Sequence, residues 1–222
     1  MPTDPDAPLR ITAFDWVPDF ARGYVRDLRP RWACEEIGLP YSTRLISAID
    51  RPADHYARQP WGQVPVIDDD GLCMFESGAI LLHLGEKDER LLPRDREGRV
   101  RVTSWLFAAY NSVEPLFFEM DNVQIFAADE EWAKLRRPSL VATAGQRLDR
   151  LETALGSSEW LAGEFSIADI AMVTVLRDAT GADLLEQRPR LAAYVERGTS
   201  RPAFQAALAA QLADFRSDPV AA

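Results

Sequence analysis

The 222-residue sequence has few of the residues that staple or metallate a fold: two cysteines, Cys34 and Cys73, and two histidines, His55 and His83. The cysteines form no Cys-x-x-Cys pair and no metal-ligand spacing. That disfavours a thioredoxin-type dithiol centre and a structural metal, and it fits a reducing, intracellular compartment. The histidines show no partner pattern and read as structural or exposed. Long apolar runs are missing as well. No stretch reaches the ~20 residues that span a bilayer, and the opening MPTDPDAPLR lacks a basic segment followed by an apolar one, so no signal peptide is indicated. Positive charge is in deficit: 25 Lys and Arg against 35 Asp and Glu leave a net charge of −10. Phosphate affinity needs a clustered positive surface, so a general binder of nucleic acid or anionic membrane is disfavoured. There is no internal repeat and no low-complexity tract. These absences describe a soluble, cytoplasmic protein.

What is present is globular. Hydrophobic residues make up 47% and charged residues 27%, which excludes a disordered or fibrous chain. The length allows one large domain or two small ones and a sizeable core. Residues 9–17, LRITAFDWV, alternate as a first strand. Residues 24–37, YVRDLRPRWACEEI, have helical spacing, with Gly38 as a C-terminal stop. Pro30 either kinks that helix or sits at the start of a shorter one beginning near residue 30. Residues 41–46 read as a second strand, and 50–61 as a loop with room for a short helix. VPVI and LCMF read as a hairpin turned by Asp68, Asp69, Asp70 and Gly71. A helix follows Glu76-Ser77. From the charged stretch 88–98 onward every segment reads as helix: 97–120, 130–155, 167–178, 189–197 and 202–215. The switch from mixed to helical character marks a domain boundary, with 9–90 and 97–216 as the two domains.

Three short motifs carry chemistry. Gln63-Val64-Pro65 stands at the entry to a strand, where a proline means an edge, a bulge or simply strand initiation. Glu76-Ser77 precedes a helix. Free N–H groups and the helix dipole there attract a carboxylate, and Glu76 can accept from an ammonium; a plain capping pair is the alternative. Ser166 and Asp169 form a capping box and are assigned to folding.

In this order and spacing the motifs resemble the cytosolic glutathione transferase superfamily, through RWACEEIGLPY, GQVPVI, FESGAILLHLGE and WLAGEFSIADIAM. The resemblance covers about residues 10–210. It implies a thioredoxin-like N-terminal domain holding glutathione and a C-terminal all-helical domain supplying the site for a hydrophobic co-substrate. It also implies a cis Val64–Pro65 bond, with Gln63, Val64 and Pro65 at the cysteinyl part of glutathione and Glu76 and Ser77 at its γ-glutamyl end. It implies no metal, a detoxifying transferase activity and a homodimer.

The thiol-activating residue of such proteins lies at the start of the first helix. Counting back from RWACEEIGL reaches Tyr24 or Val25; counting forward from the first strand reaches Asp15 or Trp16. Tyr24 is the one conventional thiol donor nearby. Arg22, Arg26 and Arg29 fall at i, i+4 and i+7 on any helix through them, either as thiolate stabilisers or as a solvated face paired with Asp27 and Glu35 or Glu36. Cys34 and Cys73 read as packing residues. In SWLFAAYNSVEPLFFEM, Pro115 breaks or kinks the helix, and Tyr110 and Asn111 are the candidates for a co-substrate cleft. The competing functional classes are a non-catalytic glutathione or apolar-ligand binding module of the same fold and, with no Cys-x-x-Cys, a disfavoured thioredoxin-type oxidoreductase.

Overall fold

The structure is a computed structural model, and it describes residues 2–177 and 183–218. The chain divides into two compact units. One holds the residues up to Leu91 together with those from Ser200 onward; the other runs from Leu92 to Thr199.

The first unit is built on a four-stranded sheet of order β2-β1-β3-β4, with β1 Arg10–Phe14, β2 Ser42–Ile46, β3 Val66–Asp69 and β4 Leu72–Phe75. β1 and β2 are parallel, so the chain must cross over between them. It does so through α1, Leu28–Ile37. β3 runs antiparallel to both β1 and β4. The β3–β4 turn places Asp70 (φ 51) and Gly71 (φ 82) in the left-handed region, the geometry that tight hairpins require. Ile11, Val66 and Ile67 are fully buried in the sheet. A short α2, Ala53–Arg58, leads to β3, and α3, Ser77–Gly85, packs on α1. Asp69 ties β3 to α3 by accepting from His83 Nε2 at 2.6 Å and Lys87 Nζ at 2.7 Å. The Lys87 charge and the hydrogen bonds from Lys87 and His83 outweigh burial and hold its carboxyl below the usual range.

α1 starts four residues later than residue 24. Its N-cap is Asp27, and Pro30 falls in the first turn, where its missing N–H has no intrahelical partner to lose. Gly38 ends it at φ 69. The last helix, α9, Pro202–Asp214, joins this unit and not the helical one, which shortens the helical domain anticipated to residue 216. It is seated on α1 by an edge-on contact of Trp32 and Phe204, with centroids 4.9 Å apart, and by a bidentate Arg201–Glu36 pair at 2.6 and 2.8 Å.

The α-helices described in the second unit are α4 Arg96–Ala108, α5 Glu114–Asp121, α6 Glu131–Leu155, α7 Ile167–Arg177 and α8 Pro189–Thr199. Residue 178, the expected end of α7, lies outside the described residues. α7 is the centre: every residue from Ile167 to Leu176 is buried. A Cβ on Gly198 of α8 would stand 2.7 Å from Val173 Cγ2, so only glycine permits that approach. The Ser166–Asp169 box is formed. Asp169 Oδ2 accepts from the Ser166 N–H at 3.0 Å and from its hydroxyl at 3.1 Å, while Ser166 Oγ accepts from the Ala168 N–H at 3.3 Å. Asp169 Oδ1 takes the Leu161 N–H at 3.0 Å and the Tyr194 hydroxyl at 2.8 Å.

Candidate functional site

The loop before β3 is held from α2. Gln59 is buried, and its Oε1 accepts from the N–H groups of Trp61 at 2.6 Å and Gln63 at 3.2 Å. His55 Nε2 lies 2.8 Å from the Gln63 carbonyl; since that oxygen can only accept, the proton sits on Nε2. The Val64–Pro65 bond is cis, as the resemblance implied. Val64 and Pro65 are buried and Gln63 is exposed. The sequence reading made His55 structural or exposed. It is buried, and with Gln59 it supports this loop; their i, i+4 spacing just ahead of Gln63 was the available signal.

The second piece is the start of α3. Glu76 sits at φ 70, a left-handed conformation rarely taken by a non-glycine residue and concentrated at functional sites. Its side chain makes no capping bond, and Ser77 is already inside the helix, so the pair is not a capping pair. Glu76 is exposed. Ser77 is 5% exposed, and its Oγ accepts from Arg29 Nη1 at 3.2 Å, with Arg29 only 3% exposed. A buried guanidinium, a hydroxyl and a helix N-terminus therefore converge, all of a sign that favours a carboxylate.

The third piece is the turn ahead of α1. The Tyr24 N–H donates to the Ala21 carbonyl at 3.0 Å, and the residue is 45% exposed. The arginine stripe is not there, because residues 22 and 26 precede the helix. Arg22 donates to the Arg216 carbonyl at 2.9 Å; of the three, only Arg29 lies on α1. The acids expected opposite the stripe are bonded across the unit. Asp27 takes Arg31 Nε at 2.8 Å, Glu35 takes the Tyr41 hydroxyl at 3.4 Å, and Glu36 takes Arg201 and Trp32 Nε1. Burial pushes the Asp27 carboxyl up, against the pull of Arg31 and Gln211. Burial also opposes the Arg31 charge, but Asp27 and Asp214 together hold its pKa above the usual value.

Cys34 is buried, and burial pushes its thiol far above the ordinary range. Cys73 is exposed on β4, with Arg58 Nη2 3.6 Å from its sulfur, which corrects its reading as a packing residue. Among the described residues no group of His, Cys, Asp and Glu is arranged to hold a metal ion, and no helix is long and apolar enough to cross a membrane. In the second unit, α4 runs into a π-helical turn, Ala109–Val113, that carries half-buried Tyr110 and exposed Asn111. Such turns often mark functional sites. The expected break falls here: Pro115 stands in the first turn of α5, directly after that π-helical turn.

A thioredoxin-like sheet with a cis-proline loop and a carboxylate-attracting helix start, followed by a helical unit, defines a class that known proteins identify. Residues 20–86 match the N-terminal domain of glutathione S-transferases and residues 124–197 the C-terminal domain. Glutathione S-transferase F10 of Arabidopsis thaliana is 30% identical over 188 residues, 77% of this chain and 86% of that one. The disulfide-bond oxidoreductase YfcG of Escherichia coli is 36% identical over 170 residues, 72% and 78% of the two chains. Among solved structures, a glutathione transferase from Pseudomonas putida with one glutathione disulfide bound per subunit superposes with a TM-score of 0.78 at 26% identity, over 90% of each chain. A family member from Pseudomonas fluorescens with two glutathione molecules bound gives 0.79 at 27%, over 90% and 92%. The chain belongs to the glutathione S-transferase family.

Proposed function

We propose that this enzyme binds glutathione on its first unit and activates the thiol for attack on a small hydrophobic electrophile or a peroxide. The observation that carries the reading is the buried Ser77–Arg29 pair at the start of α3. It suits the γ-glutamyl carboxylate, with Glu76 taking the ammonium. Gln63 and the Val64 backbone flank Pro65 and take the cysteinyl part. Residues 9–90 carry the glutathione site and the helical unit, Leu92–Thr199, the co-substrate site, with Tyr110 and Asn111 at its cleft. The protein works as a cytoplasmic homodimer in detoxification. The glutathione-bound relatives support this reading.

Tyr24 is the thiol-activating group. A free thiol has a pKa of about 8.5, and lowering it by two units takes about 2.7 kcal/mol. A hydroxyl hydrogen bond to a charged acceptor supplies roughly 1.5–3 kcal/mol. Arg22 and Arg26 flank Tyr24 and add favourable charge. Tyr24→Phe cuts turnover about tenfold or more while glutathione affinity, read by calorimetry, stays nearly intact, the pattern of lost chemistry without lost binding. Full activity in that variant sinks the assignment.

A second reading draws on the similarity to a disulfide-bond oxidoreductase and on neighbours holding glutathione disulfide or two glutathiones. A disulfide plus two glutathiones gives two thiols and glutathione disulfide, with both electrons from glutathione. Assaying electrophile conjugation beside disulfide reduction decides which reaction dominates.

A further inference from the structure

The long segment between β1 and α1, which carries Tyr24, is held at several points by the chain's C-terminal end. The Arg216 N–H donates to the Asp15 carbonyl at 2.8 Å, and Arg22 Nη2 donates to the Arg216 carbonyl at 2.9 Å. Deeper, Gln211 of α9 is 1% exposed. Its Nε2 donates to the Val25 carbonyl at 3.0 Å and to Asp27 Oδ1 at 2.8 Å. Asp27 occupies the N-cap of α1 yet makes no capping bond. Its other oxygen takes Arg31 Nε at 2.8 Å, and Arg31 Nη2 reaches Asp214 at 2.6 Å, back on α9. An aspartate at an N-cap ordinarily bonds the helix's own N–H groups. This one is committed to α9.

We propose that Gln211 is a positioning residue for thiol activation: its amide fixes the Val25 backbone and the Asp27 carboxylate, and so sets the direction in which Tyr24 leaves the turn. The inference rests on the reading of Tyr24 as the activating group. The chemistry suits the role. A side-chain amide holds a carbonyl and a carboxylate through one nitrogen without introducing charge, whereas a lysine would compete with Arg31 for Asp27. Gln211 Oε1 is buried without a hydrogen-bond partner among the described residues, so the two Nε2 bonds are what select one geometry among several that would fill the same space.

Gln211→Leu removes the donor and keeps most of the volume. The expected result is a fall in turnover of about tenfold, equivalent to ~1.4 kcal/mol at the transition state. The apparent pKa of the pH–rate profile should rise toward that of a free thiol, while glutathione affinity stays within about twofold because Glu76 and Ser77 are untouched. Unchanged turnover and pH profile overturn the proposal. So does a variant that loses thermal stability and glutathione affinity together while the profile stays put, since that is a packing role. If Gln211→Leu does not fold, Gln211→Met is measured in the same way. Native-state hydrogen exchange on the unaltered protein is a further check: the amides of Val25 to Leu28 should open with α9, and free exchange there beside a protected α9 overturns the proposal. Tyr24→Phe separates the two readings. Full activity in that variant with an impaired, pKa-shifted Gln211→Leu refutes Tyr24 but retains Gln211 as the support of the activating turn; the converse result refutes Gln211 alone.

Discussion

Replacing Ser77 by alanine removes one hydroxyl from the first turn of α3. That hydroxyl is buried and accepts from a buried guanidinium at 3.2 Å. In the ligand-free protein the substitution deletes one charge-assisted hydrogen bond, which such pairs value at about 1.5–3 kcal/mol. On the proposed placement of the γ-glutamyl carboxylate the hydroxyl hydrogen faces the ligand, and its loss leaves a buried charge short of one donor, at about 1–3 kcal/mol. Because each ~1.4 kcal/mol is tenfold in Kd, affinity should weaken by about 5- to 150-fold. Kinetically the loss should raise KM with little change in kcat, the mark of an interaction made equally in ground and transition states. Ser77→Thr keeps the hydroxyl and should stay near wild type. The double variant with Arg29→Met should lose less than the sum of the single losses, since both side chains serve one pair. Titration calorimetry with glutathione, beside thermal denaturation to show that the fold is kept, makes the measurement. A Kd for Ser77→Ala within about twofold of wild type would refute the placement of the carboxylate.

Two further outcomes test other parts of the structure. Asp169→Asn places an amide N–H₂ among four donors, the N–H groups of Leu161 and Ser166 and the hydroxyls of Ser166 and Tyr194. It should cost about 3 kcal/mol, or about 6–12 °C in Tm for a chain of this size, with glutathione affinity unchanged in the folded protein; an unshifted Tm contradicts it. A thiol-alkylating reagent should label exposed Cys73 and spare buried Cys34 in the native protein, as mass spectrometry can read, and it should leave turnover intact; inactivation on labelling Cys73 would bring a protein cysteine into the chemistry.

The parts of the fold that sequence made legible are those that short-range physics decides. Alternation placed the strands, Asp70-Gly71 set the hairpin, and Gly38 ended α1 at a positive φ. The i, i+3 spacing of Ser166 and Asp169 announced its own hydrogen bonds. What escaped depends on pairs far apart in the chain. Arg29 meets Ser77 across 48 positions and Gln211 meets Asp27 across 184, and no local pattern encodes either. The π-helical turn at Ala109–Val113 escaped for another reason. One extra residue in a helical turn leaves the apolar periodicity nearly intact, so Pro115 announced a break but not its π-helical form.

The arginines at the root of α1 show why a stripe drawn at helical spacing gave the wrong partition. Arg22 and Arg26 lie outside the helix, and the two buried guanidinia on it are Arg29 and Arg31. Two residues apart on an α-helix means about 200° around its axis, so they face nearly opposite ways. Arg31 turns to α9 and is neutralised by Asp27 and Asp214. Arg29 turns to α3 and gives Nη1 to the Ser77 hydroxyl. The net charge of −10 does not decide whether an anion can bind here. Exposed charges are screened beyond about 8 Å at physiological salt, while buried ones are not. One buried arginine therefore ties the turn ahead of α1 to α9, and the other holds the hydroxyl at the start of α3. On the proposed reading a single helix start serves both thiol activation and ligand anchoring, with the division of labour set by which way each side chain leaves the axis.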